Sequence, residues 1–511
     1  MLIVGFRLFS KGATAVRNAY WYAEVEESAI RPVRLALATT TFKKEDYVVP
    51  NIEAVKREVL GVDEPIAANF HMFVVDNGST LDVDALSDDG VTVIPNANVG
   101  GAGGFARGMM AALDSESMPE GFDFTHVLLM DDDVKMFPES FKRTFNLLSL
   151  RRDEYENAFI NGAMMQMQKP NVQYEDVAFV MKSGAYRRIK GCLAMDELVD
   201  VAVNEAIDVE IPNAYGAWWY SCIPVAAIKE NGLPLPVFFR CDDVEYGMRC
   251  KPTYMSMNGI CVWHDAFDDR YRASVDGYQY MRNFAIVMTC SADVNLTPHV
   301  MRAARMVLLF NRNLGYENAE MILEGLEDYM RGPRVIMEPK GERKLKENNA
   351  RCEKLIPLDE AIDAAIAEHP ELEESLRGFR PNMNMLRLDV PTVLTKTIRL
   401  FRTLPYDKHL LPDALLSDKP GTAYYGAVSS LPGYDQIARR VIVACSRDGS
   451  RAHVRVMDKE RESRIRKRVI ALIADYTKNG EKVAQAYKDA MPVMTSVEFW
   501  KDYLDKANSQ D

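Results

Sequence analysis

Cysteine is scarce in this chain: eight in 511 residues, with no CxxC pair among them. Their scatter, with Cys192 in Lys-Gly-Cys and Cys222 in Tyr-Ser-Cys, offers no disulfide framework and fits a reducing cytoplasm. Long apolar runs are also missing. Nothing approaches the ~18 to 20 residues that span a bilayer. The opening Met1-Leu-Ile-Val-Gly-Phe6 is apolar, but it has no basic lead-in and is short for a signal peptide. It reads as a strand or as the start of a truncated element. Basic charge is in deficit, with 62 Lys and Arg against 74 Asp and Glu, a net −12. Proteins that grip nucleic acid are usually net basic, so nucleic acid is not an expected partner. No internal repeat and no low-complexity tract occurs.

What is present is ordinary globular composition, 48% hydrophobic and 27% charged. At roughly 150 residues per domain the length suggests two to four domains. Residues 1–30 form a short preface. From Val33 strands and helices alternate. Val33–Ala38, Met72–Val75, Val91–Ile94 and His126–Met130 are short buried-type strands. A helical pattern through Val49, Ile52, Val55 and Val59 follows the first, and a helix from near Gly104 carries Phe105, Met109 and Leu113. Such alternation predicts a parallel sheet covered by helices. Ligands in these sheets sit at the carboxyl ends of the strands, and Thr40, Asp76 and Asp131 each follow an apolar strand. After residue 300 the pattern becomes amphipathic helix over Val300–Tyr329, Leu358–Leu376 and Ser463–Ala490. Residues 332–352 and 404–434 read as linkers or surface loops. Residues 439–468 are basic, with Arg439, Arg440, Arg447, Arg451, Arg455, Arg461, Arg464, Arg466, Lys467 and Arg468.

The sharpest chemical feature is Asp131-Asp132-Asp133 at the end of the fourth strand. Three acids there repel one another unless a cation joins them. Alternate residues of an extended segment point the same way, so Asp131 and Asp133 can face one site. Hard oxygen ligands suit Mg²⁺ or Mn²⁺ shared with substrate phosphates. The bland alternative is a solvated turn or a helix cap before Pro138. A second feature is Asn98-Val-Gly100-Gly101-Ala-Gly-Gly104 before a helix, where glycines let a phosphate or sugar approach the backbone. It is not a Walker loop, because no Gly-Lys-Ser/Thr follows, and alone it equally describes a flexible turn. Third, Arg240-Cys-Asp242-Asp243-Val-Glu245 pairs carboxylates, one of which can titrate upward and act as a general base. The competing reading is a helix start, with Glu245 paired to Arg249. Trp218 and Trp219 could present aromatic faces to a sugar or simply pack a core. A lone His such as His264, after Val262-Trp263, is more often structural than a ligand; here it would add a nitrogen ligand to the two carboxylates, which Mn²⁺ accepts.

The order of these motifs resembles a family-2 glycosyltransferase with a GT-A nucleotide-sugar domain. In sequence come Thr40-Thr41-Phe42, Asp76-Asn-Gly-Ser, Asn98 with its glycines, Asp131-x-Asp133, Asp242-Asp243-x-Glu245 and His264. More closely the set resembles the bacterial galactofuranosyltransferases that polymerise galactan. The resemblance covers residues 33–300 well and the helical tail with less specificity. It implies an α/β fold, a Rossmann-like mixed sheet with helices on both faces, plus a mainly helical C-terminal region. The domains would be a β-rich remnant at 1–30, a catalytic domain at 31–300 and a helical region at 301–511. Ala19-Tyr-Trp-Tyr-Ala23 would be the remnant's last strand.

It further implies that Thr40, Thr41 and Asp76 hold the uracil and ribose of a UDP-sugar. Asn98, Gly100, Gly101 and Asp132 would line the donor pocket. Asp131, Asp133 and His264 would bind Mn²⁺ or Mg²⁺. Asp243 would be the base, with Asp242 and Glu245 orienting substrate, and Trp218 and Trp219 would shape the acceptor site. Lys43-Lys44 stands where the family commonly has Asn-Arg, which leaves the basic contact to the diphosphate open. The implied reaction is inverting transfer, most naturally of galactofuranose, to a glycan or polyprenyl-linked acceptor. A rhamnosyltransferase using a dTDP-sugar and a non-catalytic glycan-assembly module are the rivals. A cytoplasmic location, peripheral contact of the basic segment with an anionic membrane and a homo-oligomer complete the expectations. Against the membrane contact, Asp458, Glu460 and Glu462 could balance that segment as a solvated helix face.

Overall fold

The computed structural model of the protein describes residues 8–17, 22, 24–114, 122–181, 185–265, 271–292, 295–382, 408–426, 436 and 438–509. The chain divides into two compact units. One comprises Met1–Ala266, Ser291–Asp293 and Met491–Asp511, the other Phe267–Cys290 and Val294–Ala490. The division expected at residue 300 thus falls earlier, and the end of the chain belongs to the first unit. Helical periodicity identifies an amphipathic helix but not the core that receives it. Within residues 1–30 the described part holds only a short turn of 3-10 helix, Glu27–Ala29. Apart from Tyr22, the expected strand at Ala19–Ala23 lies outside the described residues.

The first unit is built on a seven-stranded sheet. Its strands are β1 (Leu35–Thr41), β2 (Phe70–Asp76), β3 (Val91–Pro95), β4 (His126–Asp131), β5 (Phe159–Asn161), β12 (Ser221–Pro224) and β13 (Tyr254–Met255). The order is β13-β5-β12-β4-β1-β2-β3, and β12 alone runs antiparallel to its neighbours. Two smaller sheets complete the unit. One contains β6 (Ala163–Gln166), β7 (Val172–Glu175), β10 (Leu193–Ala194) and β14 (Cys261–His264). The other contains β8 (Val177–Val180), β9 (Tyr186–Arg188) and β11 (Ala214–Gly216).

The central strands each carry a run of four apolar residues, Leu35–Ala38, Met72–Val75 and Val127–Met130, whose alternation sends them into two separate cores. Leu35, Leu37, Met72, Val74, Leu128 and Met130 meet Val48 and Ile52 of the helix Glu45–Val55 and Phe141 of the helix Pro138–Ser149. Ala36, Ala38, Phe73, Val127 and Leu129 meet Phe105 and Met109 of the helix Gly100–Leu113 and Trp500 and Tyr503 of the helix Val497–Asn508. Both faces are therefore covered, as unbroken Val/Leu/Met runs require. The four expected strands are all present. β1 pairs with β2 on one side and β4 on the other, so the chain reverses its direction of winding between β1 and β4. A crevice opens outside the carboxyl ends of the strands at such a switch point.

The second unit is mainly helical, with long helices at Thr297–Arg312 and Tyr316–Met330 and residues 459–490 of the helix Lys459–Met494. It also holds a four-stranded sheet that helical periodicity did not predict: β15 (Ile356–Pro357), β16 (Gly421–Tyr424), β17 (Val441–Cys445) and β18 (Arg451–Val456), in the order β15-β18-β17-β16. Val441, Val443 and Cys445 pack beneath Ile362 and Ala365 of the helix Leu358–Glu368. The basic segment is largely consumed here. Arg455 is bidentate to Glu353 at 2.9 and 2.7 Å with both side chains buried. Arg461 binds Glu317 and Glu320, and Arg468 binds Glu327. Among the described residues no helix is long and apolar enough to cross a membrane.

His299 offers a pH test of this unit. It is fully buried, shares a hydrogen bond with the Met281 carbonyl at 3.2 Å and packs on Phe284. Burial, then the charge of Arg302, pushes its pKa down from 6.5 to about 3. Between those values the unfolded chain binds a proton that the folded chain refuses. Its contribution is therefore complete above 6.5 and lost as pH falls toward 3. The melting-temperature gap between wild type and His299→Gln should narrow as pH drops from 7 to 5. A gap independent of pH would show that His299 does not titrate as its burial requires.

Candidate active site and metal centre

The register of the central strands brings the expected residues into one row. Thr40 lies opposite Asp131 across β1 and β4, and Thr41 lies opposite Asp76 across β1 and β2. Beyond Asp131 the chain is held by β14. Lys135 and Trp263 exchange backbone hydrogen bonds of 2.8 and 3.0 Å, and Asn51 donates to the Val134 carbonyl at 3.0 Å. This bridge carries Asp133 to His264, whose Nε2 lies 3.2 Å from Asp133 Oδ1. One ligand atom each from Asp131, Asp133 and His264 falls within a 4.8 Å sphere. Two carboxylates and an imidazole match the donor chemistry of Mn²⁺, and the carboxylates that of Mg²⁺. The His264 Nδ1 shares a 2.6 Å hydrogen bond with the Asp265 carbonyl, which leaves Nε2 to face the acids.

The electrostatics agree with that donor set. Burial, then the charge of Asp133, pushes the Asp131 carboxyl up to about 7. Burial works against ionised Asp133 too, but the hydrogen bond and charge of His264, with those of Lys44, hold it well below the usual carboxylate range. Asp132 is raised by burial despite Lys44. Lys44 Nζ lies 2.7 Å from Asp133 Oδ2 and 3.4 Å from Asp132 Oδ1. The Lys43-Lys44 departure therefore supplies a cation to the acid cluster itself.

Asp242 and Asp243 open the helix Asp242–Cys250, where the dipole favours negative charge. Asp243 Oδ1 accepts from the Val244 N–H at 2.7 Å. Burial nonetheless pushes the Asp243 carboxyl up to about 6. Burial and the charge of Asp243 raise Asp242 well above its ordinary range. The approach to this helix is strained, since Phe238, Arg240 and Cys241 all have positive φ (76°, 69° and 67°).

The glycine segment is not a loop before a helix. The helix itself begins at Gly100. Gly100 has φ +72°, and a Cβ there would stand 2.1 Å from the Phe238 carbonyl oxygen. A Cβ on Gly101 would stand 3.5 Å from Asp242 Oδ2, so this turn faces the acids. Asn98 Oδ1 accepts from the Gly100 N–H at 3.2 Å and shapes the turn. At Gly104 a Cβ would overlap the Thr40 hydroxyl, so the absent side chain lets the helix lie on β1.

Other expected residues have structural partners. The Asp76 carboxylate is taken by the N–H groups of Gly78, Thr80 and Leu81 at 2.6–3.0 Å, and it orders the turn after β2. Thr41 is buried at the end of β1. Trp218 and Trp219 do not form an open sugar platform. Trp218 packs edge-on against Phe105 and Tyr246, while Trp219 lies in the opposite core and donates to the Gly162 carbonyl. Glu245 is fully buried, bidentate to Arg249 at 2.7 and 3.0 Å, and accepts from Ser291 Oγ. The helix-pair reading of Glu245 describes it, since its carboxylate is fully buried and committed to Arg249 and Ser291. Sequence reasoning passed over Glu175 on β7. Burial, opposed by Arg188 and reinforced by Asp243, pushes its carboxyl up to about 7. A single acid in Tyr-Glu-Asp carries no signal of that neighbourhood.

No family model matches the chain. Among curated proteins it is similar to galactofuranosyltransferase GlfT2 of Mycolicibacterium smegmatis, 22% identical over 98% of this chain and 76% of that protein. It is likewise similar to galactofuranosyltransferase GlfT2 of Mycobacterium tuberculosis, 24% identical over 99% of this chain and 79% of that protein. Solved structures that align with it include a mannosyltransferase from Pyrobaculum calidifontis in complex with GDP-Man and Mn²⁺, at TM-score 0.31 and 10% identity over 54% of this chain and 66% of that one. Another is glucosyl-3-phosphoglycerate synthase from Mycobacterium tuberculosis, at TM-score 0.32 and 12% identity over 53% and 83%. Scores of that size carry no argument. The sequence relation does, because it runs nearly end to end. The chain is glycosyltransferase-like, and within that class it is similar to galactofuranosyltransferases, as the order of its motifs implied.

The metal centre is testable apart from catalysis. Asp133→Ala and His264→Ala should each weaken Mn²⁺ binding, measured by calorimetry, by about tenfold or more, at least the loss typical of an outer-sphere partner. Unchanged Mn²⁺ affinity in both variants would exclude this triad as the metal site.

Proposed function

We propose that the protein is a metal-dependent inverting glycosyltransferase that moves galactofuranose from UDP-galactofuranose to a hydroxyl of a growing cell-surface glycan or lipid-linked acceptor. The observation that carries this reading is the convergence of Asp131, Asp133 and His264 beside the β1/β4 switch point, with the titration-shifted Asp243 held near them in the same acid cluster. The near full-length similarity to galactofuranosyltransferases supports the choice of sugar.

In this reading Asp131, Asp133 and His264 hold the divalent cation. When bound, that cation supplies Lewis-acid neutralisation of the charge growing on the departing diphosphate. Lys44 steadies Asp133 and Asp132 and adds positive charge on the same side. The turn from Asn98 to Gly101 walls the donor, with Gly100 and Gly101 leaving backbone where side chains would block it. Thr40, Thr41 and the turn ordered by Asp76 lie at the strand ends where the nucleoside would rest. Asp243 takes the proton of the acceptor hydroxyl as its oxygen attacks the anomeric carbon. The bond from that carbon to the diphosphate oxygen breaks as the new glycosidic bond forms on the opposite face, so configuration inverts and no covalent enzyme intermediate arises. A carboxyl raised to about 6 is still mostly ionised at pH 7 and is a stronger base than an ordinary aspartate.

Asp243→Asn should lower transfer by about 10² to 10⁴-fold, the usual worth of a positioned general base. UDP binding in the presence of Mn²⁺ should remain within a few-fold of wild type. Transfer near the wild-type rate would refute the assignment of the base. Competition between UDP and dTDP for the donor site distinguishes the galactofuranosyl reading, in which UDP wins, from a rhamnosyltransferase. A wild-type protein that neither binds UDP nor consumes any nucleotide sugar would be a non-catalytic assembly module.

A further inference from the structure

The last helix of the chain, Val497–Asn508, lies at two segments that border the acid cluster. Asn508 Oδ1 accepts a hydrogen bond from the Ala97 N–H at 2.8 Å, across 411 residues of sequence. Ala97 stands just past the end of β3 and immediately before Asn98. Trp500 is fully buried, and its ring atom Cζ3 lies 3.4 Å from where a Cβ on Gly103 would be. The Trp500 Nε1–H donates to the Pro234 carbonyl at 2.9 Å. One turn ahead of the helix, the Thr495 carbonyl accepts from the Leu233 N–H at 2.8 Å. Leu233 and Pro234 belong to the segment 232–241, which leads through the strained Phe238, Arg240 and Cys241 into Asp242 and Asp243. The two segments are themselves joined, because the Ala102 N–H donates to the Phe238 carbonyl at 3.0 Å.

We infer that the helix Val497–Asn508 is a brace for the active site, with Asn508 a positioning residue for the Asn98–Gly104 turn and Trp500 one for the segment that presents Asp243. This rests on the reading of that turn as the donor wall. The physical need is plain. The first turn of the helix from Gly100 holds four glycines in five residues, and glycine loses more backbone entropy than other residues when fixed in a helix, so outside contacts must hold it. Asn508 ties down its entry, and Trp500 packs beside Gly103, at 3.4 Å from a site whose space Val99 occupies. Neither residue reaches the reacting atoms. Their effect is on how often the two segments hold their geometry, so loss of Asn508 should appear as weaker donor binding, and loss of Trp500 as a lower kcat as well.

The test uses the full chain. Asn508→Ala should speed amide exchange across residues 97–104 by about fivefold, the scale of one hydrogen bond, with exchange in β1, β2 and β4 unchanged. The Kd for UDP with Mn²⁺ should rise by a similar factor, while kcat at saturating donor stays within about twofold. Asn508→Asp keeps an acceptor oxygen and should restore both. Trp500→Phe, which keeps most of the ring and removes the bond to Pro234, should raise exchange across 232–241. Wild-type exchange at 97–104 in Asn508→Ala, or faster exchange spread evenly through the first unit, would overturn the brace. A wild type that binds no UDP would refute the donor reading instead, while the exchange pattern still decides the brace.

Discussion

Like charge gathered in a low-dielectric crevice is the constraint around which the first unit is arranged. Asp131, Asp132 and Asp133 leave the end of β4, Asp242 and Asp243 open a helix near them, and Glu175 joins from a neighbouring sheet. Burial raises Asp131, Asp243 and Glu175 toward or above 6, and raises Asp242 as well. Lys44 and His264 together satisfy Asp133 but leave Asp131 shifted upward. Such a cluster favours whatever brings positive charge to it, a proton or a divalent cation. A divalent cation meets that need and leaves the other carboxylates free of it. The same argument explains why the acids are separated into two sets. Asp133 is held ionised by His264 and Lys44, whereas burial raises both Asp131 and Asp243 toward neutrality.

Backbone conformation does as much as charge. Gly100 fits at φ +72° only because no Cβ meets the Phe238 carbonyl, and that carbonyl belongs to a residue itself at positive φ. Each side of this contact therefore fixes the other. Strain of this kind costs of order 1–3 kcal/mol per residue and persists only where the surroundings over-determine it. Here the surroundings are the Ala102–Phe238 hydrogen bond and the packing of Trp218 between Phe105 and Tyr246, which joins the helix after the glycines to the helix after the acids.

Legibility in the sequence followed from whether a residue's role is local. The strands β1, β2 and β4 were readable because burial on both faces leaves an apolar run of four closed by Thr39, Asp76 or Asp131, and β3 by the alternation of Val91 and Val93. Asp131, Asp133 and His264 were readable because metal-ligand types stood at strand ends in a known order. Trp218, Trp219 and Glu245 were not, because an indole or a carboxylate looks the same in sequence whether it faces solvent or Phe105, Gly162 or Arg249. Glu175 and Asn508 gave no signal at all, since each matters through a partner far along the chain. Two strands of the small sheet, β17 and β18, hid inside a segment whose arginines suggested a helix face. Val441–Cys445 is a buried apolar run of five, too short for periodicity alone to separate from a helix.

The two charge-rich regions of the chain make the final point. The basic run at 439–468 looked like a surface for anionic partners, yet Arg455, Arg461 and Arg468 are each bound by glutamates of their own unit. Those glutamates come from Glu317 to Glu353, over a hundred residues away, so composition could not reveal the match. The acids at 131–133 and 242–243 are the reverse case, a short run with fewer counter-charges than carboxylates. A charge run is informative about function only after its internal partners are subtracted. The acids in surplus at 131–133 and 242–243 are buried and placed at the switch point of a mixed sheet, where the chemistry of a sugar diphosphate would need them.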